Sequence, residues 1–153
     1  MMIEWCRTHL NVHPPTRGNP SDAGLDVHFS PADNKSVTIE PGESALLPTG
    51  LRFGVPHGYM LEVKNRSSVA SKRSLVVGAC VIDSGYDGEV FVNLHNIGKS
   101  TQVIDSHSKI AQVVMTPVVH FRAMERRGNE DLYGWYPITI SDRGDGALGS
   151  TGE

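Results

Sequence analysis

Apolar and polar residues alternate along the chain in short runs, each cut off by glycine or proline. In EVFVNLHN, Val90, Val92 and Leu94 fall on one side and Phe91, Asn93 and His95 on the other. That two-residue period belongs to a half-buried strand. The stretch SVTIEPGESALLPTGLRFGVPHGYMLEVKN interleaves apolar runs with Pro-Gly, Thr-Gly and His-Gly steps. SKIAQVVMTPVVHF is a further apolar run, divided by Pro117. Short strands with closely spaced turns predict an all-β, antiparallel barrel or sandwich, read here as a compact jelly roll. Good helix formers gather only in FRAMERRGNEDLYGW, where the Gly128-Asn129 step argues against a long helix.

Composition narrows the class. With 153 residues the chain is one domain's worth, and 39% apolar and 20% charged residues are ordinary for a globular protein. A formal charge of -3 argues against direct nucleic-acid binding, which needs a basic face. Two cysteines, Cys6 and Cys80, make no disulfide framework. No apolar run reaches membrane-spanning length, and MMIEWCRTHL lacks a signal-peptide layout, so a cytoplasmic protein is expected.

Several stretches could carry chemistry. In KNRSSVASKRS, Arg66 offers a fork of donors beside the hydroxyls of Ser67 and Ser68, a set suited to phosphate oxygens. The same residues also fit a solvated basic loop. In VVGACVIDSGYDGEV an apolar run ends at Asp83, just before a turn holding Ser84, Gly85 and Tyr86. A carboxylate there, partly desolvated, is a candidate general base, or else it caps the turn through its own backbone. Asp26 in SDAGLDVHFS could hold a turn or reach a metal through water, and Gln112 in IAQ needs a partner, structural or ligand. The closing RGDGALGSTGE supplies Arg143, glycine-rich backbone N–H groups and the hydroxyls of Ser150 and Thr151, material for an anion nest. Two phosphate-friendly segments and one carboxylate at a hairpin suggest hydrolysis of a polyphosphate. His9 and His13 are followed at once by two prolines, which excludes a zincin helix, and no G-x-S-x-G elbow is present.

These pieces in this order resemble the trimeric deoxyuridine triphosphate nucleotidohydrolase (dUTPase) family. The five ordered motifs of that family correspond to AGLDV (23–27), RSSVA (66–70), GACVIDSGYDGEV (78–90), KIAQVV (109–114) and RGDGALGSTG (143–152). The resemblance implies a jelly-roll (β-clip) subunit over residues 1–142, a flexible C-terminal arm over 143–153, and a homotrimer with shared sites. It also implies hydrolysis of dUTP to dUMP and pyrophosphate, which keeps uracil out of DNA and supplies dUMP for thymidylate synthesis. Asp83 would activate the water that attacks the α-phosphorus. Backbone at Cys80, Val81 and Ile82, returning near Phe91, would hold uracil, and Tyr86 would pack on the deoxyribose. Arg66, Ser67, Ser68 and Gln112 would bind the phosphate chain, and Arg143 would reach its terminal phosphate. Leu148, Gly149, Ser150 and Thr151 would close over the substrate. Mg²⁺ would travel with the triphosphate, with Asp26 touching its water shell.

The chain also departs from that pattern. Leu148 stands where the family usually stacks an aromatic residue on uracil, preceded by Ala147 where glycine is usual. Cys80 and Ser68 stand where glycine is common. Residues 122–142, with several arginines plus Tyr133, Trp135 and Tyr136, read either as packing within the trimer or as an insertion for a protein partner. Two alternatives share the fold. A dCTP deaminase would need an Arg and a Glu at the places of Ser71 and Asn93, and a nucleotide-sensing regulatory protein would use the 122–142 segment.

Overall fold

The period-two runs pair as antiparallel ladders in a computed structural model of the chain, which describes residues 1–128 and 132–137. The chain divides into two units, residues 1–120 and 121–153. The first carries β1 (Trp5–Arg7), β2 (Gly24–His28), β3 (Val37–Ile39), β4 (Ser44–Pro48), β5 (Leu51–Phe53) and β6 (Tyr59–Lys64). Helix α1 (Ser67–Arg73) follows, then β7 (Leu75–Val77), β8 (Val81–Ile82), β9 (Phe91–Asn96), β10 (Gln102–Ile104) and β11 (Lys109–Pro117).

A four-stranded sheet runs β2-β11-β6-β8 and a three-stranded one β4-β9-β7, with two-stranded pairs β1-β5 and β10-β3. The alternation in β9 is realised as expected: Val92 and Leu94 are fully buried and Phe91 faces outward. Phe29, Ile39, Leu47, Leu51, Leu75 and Ile104 complete the centre of the core. Burying side chains of this size contributes about 2 kcal/mol each, so these inward rows set the strand register. The all-β jelly-roll expectation holds.

One element differs from the sequence pattern. The basic stretch after Asn65 forms α1 where a loop was one of the readings. Val69 sinks into the core, Lys72 and Arg73 sit in the last turn where the helix dipole favours cations, and Ser74, at φ 53°, ends the helix in the left-handed region.

In the second unit the described residues, 121–128 and 132–137, form no helix or strand, in keeping with the break expected at Gly128. Phe121, Met124, Leu132, Trp135 and Tyr136 are exposed. Among the described residues no helix is long and apolar enough to cross a membrane.

Candidate active site

Two depressions gather the chemistry. The first, a polar cavity of about 400 Å³, is lined by the loop Gly18, Asn19, Asp22 and Ala23 together with Gly24, Asp26, Arg66, Ser67, Lys109 and Gln112. Central strand β11 organises it, because Gln112 is in register with Asp26 on β2 and with Lys64 on β6. Arg66 follows β6 closely as the N-cap of α1 and donates Nε to Asp26 Oδ1 at 2.9 Å. Lys109 Nζ lies 3.1 Å from Asp26 Oδ2. One carboxylate thus holds two cations, and holding Arg66 by Nε leaves its terminal nitrogens for an incoming anion.

Gln112 is fixed from two sides. Its Nε2 donates to the Asn65 carbonyl at 3.0 Å. Its Oε1 lies so close over Gly24 that a Cβ there would come within 2.6 Å of it. Glycine at position 24 is therefore a requirement of close approach, since any side chain would push the amide away.

Beneath this cavity lies His28, the register partner of Lys109 and 3% exposed. Its ring stacks on His13 with centroids 3.7 Å apart, and His13 in turn meets the edge of His107. Burial above all, helped by the charges of His13, Lys109 and Arg66 and opposed by Asp26, pushes the His28 imidazole down to about 4.

The second depression, about 270 Å³, is lined by Leu46, Ala79, Val81, Ile82, Asp83, Tyr86, Glu89, Val90 and Phe91. Strand β8 delivers Asp83 to a turn closed by the Tyr86 N–H on the Asp83 carbonyl, with Gly85 at φ 82° supplying the left-handed step. The Tyr86 hydroxyl donates to the Glu89 carbonyl at 2.8 Å, and Glu89 Oε1 accepts the Gly50 N–H at 2.7 Å, so the hairpin is braced at its base. Val81, Tyr86 and Phe91 expose apolar faces to this slot at 56%, 47% and 40%. Its lining is mostly apolar, with the Asp83 and Glu89 side chains as the charged exceptions.

Asp83 is exposed. The partial desolvation expected for it at the end of an apolar strand is absent, because β8 stops at Ile82 and the turn projects into solvent. Cys80 is not among the residues lining the slot; its carbonyl accepts the Val63 N–H at 2.7 Å. Ser68 likewise lies outside the lining of the polar cavity, exposed on the first turn of α1.

The two depressions share no lining residue. Strands β6 and β8 run antiparallel with Leu61 opposite Ile82. Asp83 therefore leaves at the start of β6 while Arg66 follows its end, on the order of 20 Å away at strand rise. A triphosphate spans only a fraction of that distance. Arg143, Leu148, Gly149, Ser150 and Thr151 lie outside the described residues.

Sequence reasoning placed Arg66, Ser67, Gln112 and Asp26 together and missed three contributors. Lys109 stood inside a quoted motif without a role, although a lysine just before a buried amide was a usable signal. Asn65 and the Gly18–Ala23 loop were given no role, although Ala23 opens the first motif, because only the fold brings them to Gln112.

Comparison with known proteins adds to this geometry. The family model described as dUTPase matches residues 11–152. The deoxyuridine 5'-triphosphate nucleotidohydrolase of Chlamydia trachomatis is 33% identical over 151 residues, covering 97% of this chain and 97% of that protein. The enzyme of the same description from Bartonella bacilliformis is 35% identical over 150 residues, covering 92% of this chain and 81% of that one. Among solved structures, a dUTPase of Staphylococcus bacteriophage 80alpha with dUpNHpp superposes with a TM-score of 0.84, over 99% of both chains, at 24% identity. A dUTPase from phage phi11 of S. aureus, described as coordinating a structural Mg(II) ion, gives 0.76 over 86% of this chain and 100% of that one, also at 24% identity. At such identities the superpositions establish the fold.

Proposed function

The chain belongs to the dUTPase family, and on that premise we propose that it is a dUTP diphosphatase, cleaving dUTP to dUMP and pyrophosphate. The family match from residue 11 to residue 152 carries this reading, since it contains every side chain assigned a role below.

The slot between β8 and β9 takes the uracil and deoxyribose, with Tyr86 against the sugar and Val81, Ile82 and Phe91 around the base. The Asp83 carboxylate accepts a proton from water as the water oxygen bonds to the α-phosphorus. The bond from that phosphorus to the bridging oxygen breaks, and pyrophosphate leaves with the electron pair. Arg66, Ser67 and Gln112, with Lys109 beside them, spread the charge of the leaving group. Positioned donors of this kind are the larger part of phosphoryl-transfer catalysis. Arg143 and the segment Leu148–Thr151 are assigned to cover the triphosphate.

Each site is proposed to form between copies of the chain in a homotrimer. The separation of Asp83 from Arg66 along β6 and β8, longer than a triphosphate, supports this reading. Closure by neighbouring copies would also supply the desolvation that Asp83 lacks in the single chain.

Among the described residues no group of three or more His, Cys, Asp or Glu side chains is placed to hold a metal ion. Magnesium is proposed to enter on the triphosphate as part of the substrate. Asp26 is the proposed outer contact to its water, on oxygens it shares with Arg66 and Lys109. A cytoplasmic setting, among free nucleotides, belongs to the same proposal. So does a protein partner at residues 122–142, supported by the exposed Trp135 and Tyr136 and tested by deleting that segment in pull-downs.

The deciding experiment assays pyrophosphate and ammonia release from dUTP, dCTP, dTTP and UTP. Pyrophosphate from dUTP alone, abolished by Asp83→Asn with dUMP binding retained, is expected. Ammonia from dCTP would overturn the reading, and so would full turnover by the Asp83→Asn variant.

A further inference from the structure

Asn65 sits at a junction that none of the motifs includes. It follows the last residue of β6 and precedes Arg66. Its side-chain Oδ1 accepts the Val77 N–H at 2.8 Å, and its backbone carbonyl accepts Gln112 Nε2 at 3.0 Å. The first bond closes the excursion that carries α1, tying its start to the last residue of β7. The second orients the Gln112 amide over Gly24. Val77 in turn opens the run that reaches Asp83, and the next residue, Gly78, donates its N–H to the Asn93 carbonyl.

We propose that Asn65 is a positioning residue for the triphosphate: by closing onto Val77 it fixes the Arg66–Ser67 turn, and through its carbonyl it fixes Gln112. This deepens the assignment of dUTP hydrolysis and rests on it. Asn65 is itself exposed, so its hydrogen bond to Val77 adds little to global stability while deciding where two phosphate-binding groups stand. Its influence on the cavity can therefore be separated from any influence on folding. An error of one ångström in such a constellation is enough to slow an enzyme severely.

The test compares the wild-type chain with Asn65→Ala, which removes the acceptor, and Asn65→Asp, which keeps one. Asn65→Ala should lower kcat/KM for dUTP about tenfold and weaken inhibition by inorganic pyrophosphate by a similar factor. Inhibition by dUMP, which sits mainly in the other depression, should change less than about twofold, and Tm should stay within a few degrees. Asn65→Asp should restore hydrogen-exchange protection at the Val77 amide and recover kcat relative to the alanine variant. Wild-type kinetics in Asn65→Ala would overturn the inference. Equal weakening of dUMP and pyrophosphate inhibition would overturn it as well, as would an aspartate variant that protects Val77 yet is as slow as alanine. A wild-type chain that releases no pyrophosphate from dUTP would instead remove the assignment of the reaction, and this inference with it.

Discussion

Asp83 and Arg66 stand at opposite ends of one antiparallel strand pair, Asp83 just beyond the Ile82–Leu61 register position and Arg66 just beyond the end of β6. On the proposed mechanism both act on one phosphate chain, so each would serve a different nucleotide. Mixing two inactive proteins tests this directly. Asp83→Asn and Arg66→Ala, each nearly inactive as a pure trimer, should regain activity when unfolded and refolded together. With random assembly, about a quarter of the sites would receive an intact carboxylate from one chain and an intact guanidinium from another. Activity of the mixture that stays at the sum of the two variants would place both groups in a single chain.

Gly24 and Gln112 give a second prediction. A methyl group at position 24 would meet Gln112 Oε1 at 2.6 Å and the Val113 carbonyl at 3.1 Å. The amide is the softer of the two neighbours, so it should move and lose its hold on Asn65. Gly24→Ala is expected to reduce kcat/KM about tenfold and to cost roughly 1 kcal/mol of stability, read by steady-state kinetics and denaturant melts. Unchanged kinetics would show that the place of Gln112 does not matter to turnover.

The limits of the sequence are visible in particular residues. Val90, Val92 and Leu94 announced their strand because a period of two is a property of neighbours in the chain. Arg66, Ser67 and Asp83 were legible because charged and hydroxyl groups cluster locally at strand ends. Helix α1 was not, since its one core contact, Val69, is a single apolar residue in a basic run. The Asp26–Lys109 pair and the role of Asn65 were also hidden, because both depend on β11 lying between β2 and β6. The exposure of Asp83 reversed an expectation for a similar reason: an apolar run says that a strand is buried, not how far burial extends past its last residue.

His28 predicts an acid-sensitive fold. Its imidazole titrates at about 4 in the folded chain, against 6.5 for the free side chain, because burial disfavours the charged ring. A depressed value means that the unfolded chain takes up a proton that the native chain refuses. Its contribution to stability is thus complete above pH 6.5, declines as pH falls from 6.5 to about 4, and is level below that. The whole decline corresponds to roughly 3 kcal/mol. Denaturant melts between pH 8 and pH 4 should show it, and His28→Gln should flatten the slope across that window whatever its effect at neutral pH. Parallel slopes in the two proteins would remove His28 as the cause.

The C-terminal segment should be dispensable for folding and indispensable for turnover. Every buried apolar residue among those described lies between Val12 and Val113, so removing residues 143–153 deletes none of them. The truncated chain should melt within a few degrees of the full one. Its kcat/KM should fall about a hundredfold or more, the scale of losing transition-state donors, a role proposed for Arg143 and the backbone of Gly149, Ser150 and Thr151. A truncated chain that retains full activity would assign triphosphate closure to other residues.

Leu148 allows the reverse experiment, a gain. The resemblance places it where an aromatic ring usually stacks on uracil, and leucine covers a base by dispersion without the ring's quadrupole. Leu148→Phe should therefore tighten closure over the base by the increment that aromatic pairs add beyond area, about 0.5–1.5 kcal/mol, or two- to tenfold in KM. If chemistry limits the rate, kcat should hold; if release of product does, kcat should fall as KM falls, because a tighter cover opens more slowly. Steady-state kinetics combined with a single-turnover measurement separates the two. A Leu148→Phe variant whose KM for dUTP is unchanged would mean that the residue does not lie over the base, and that closure rests on the phosphate contacts alone.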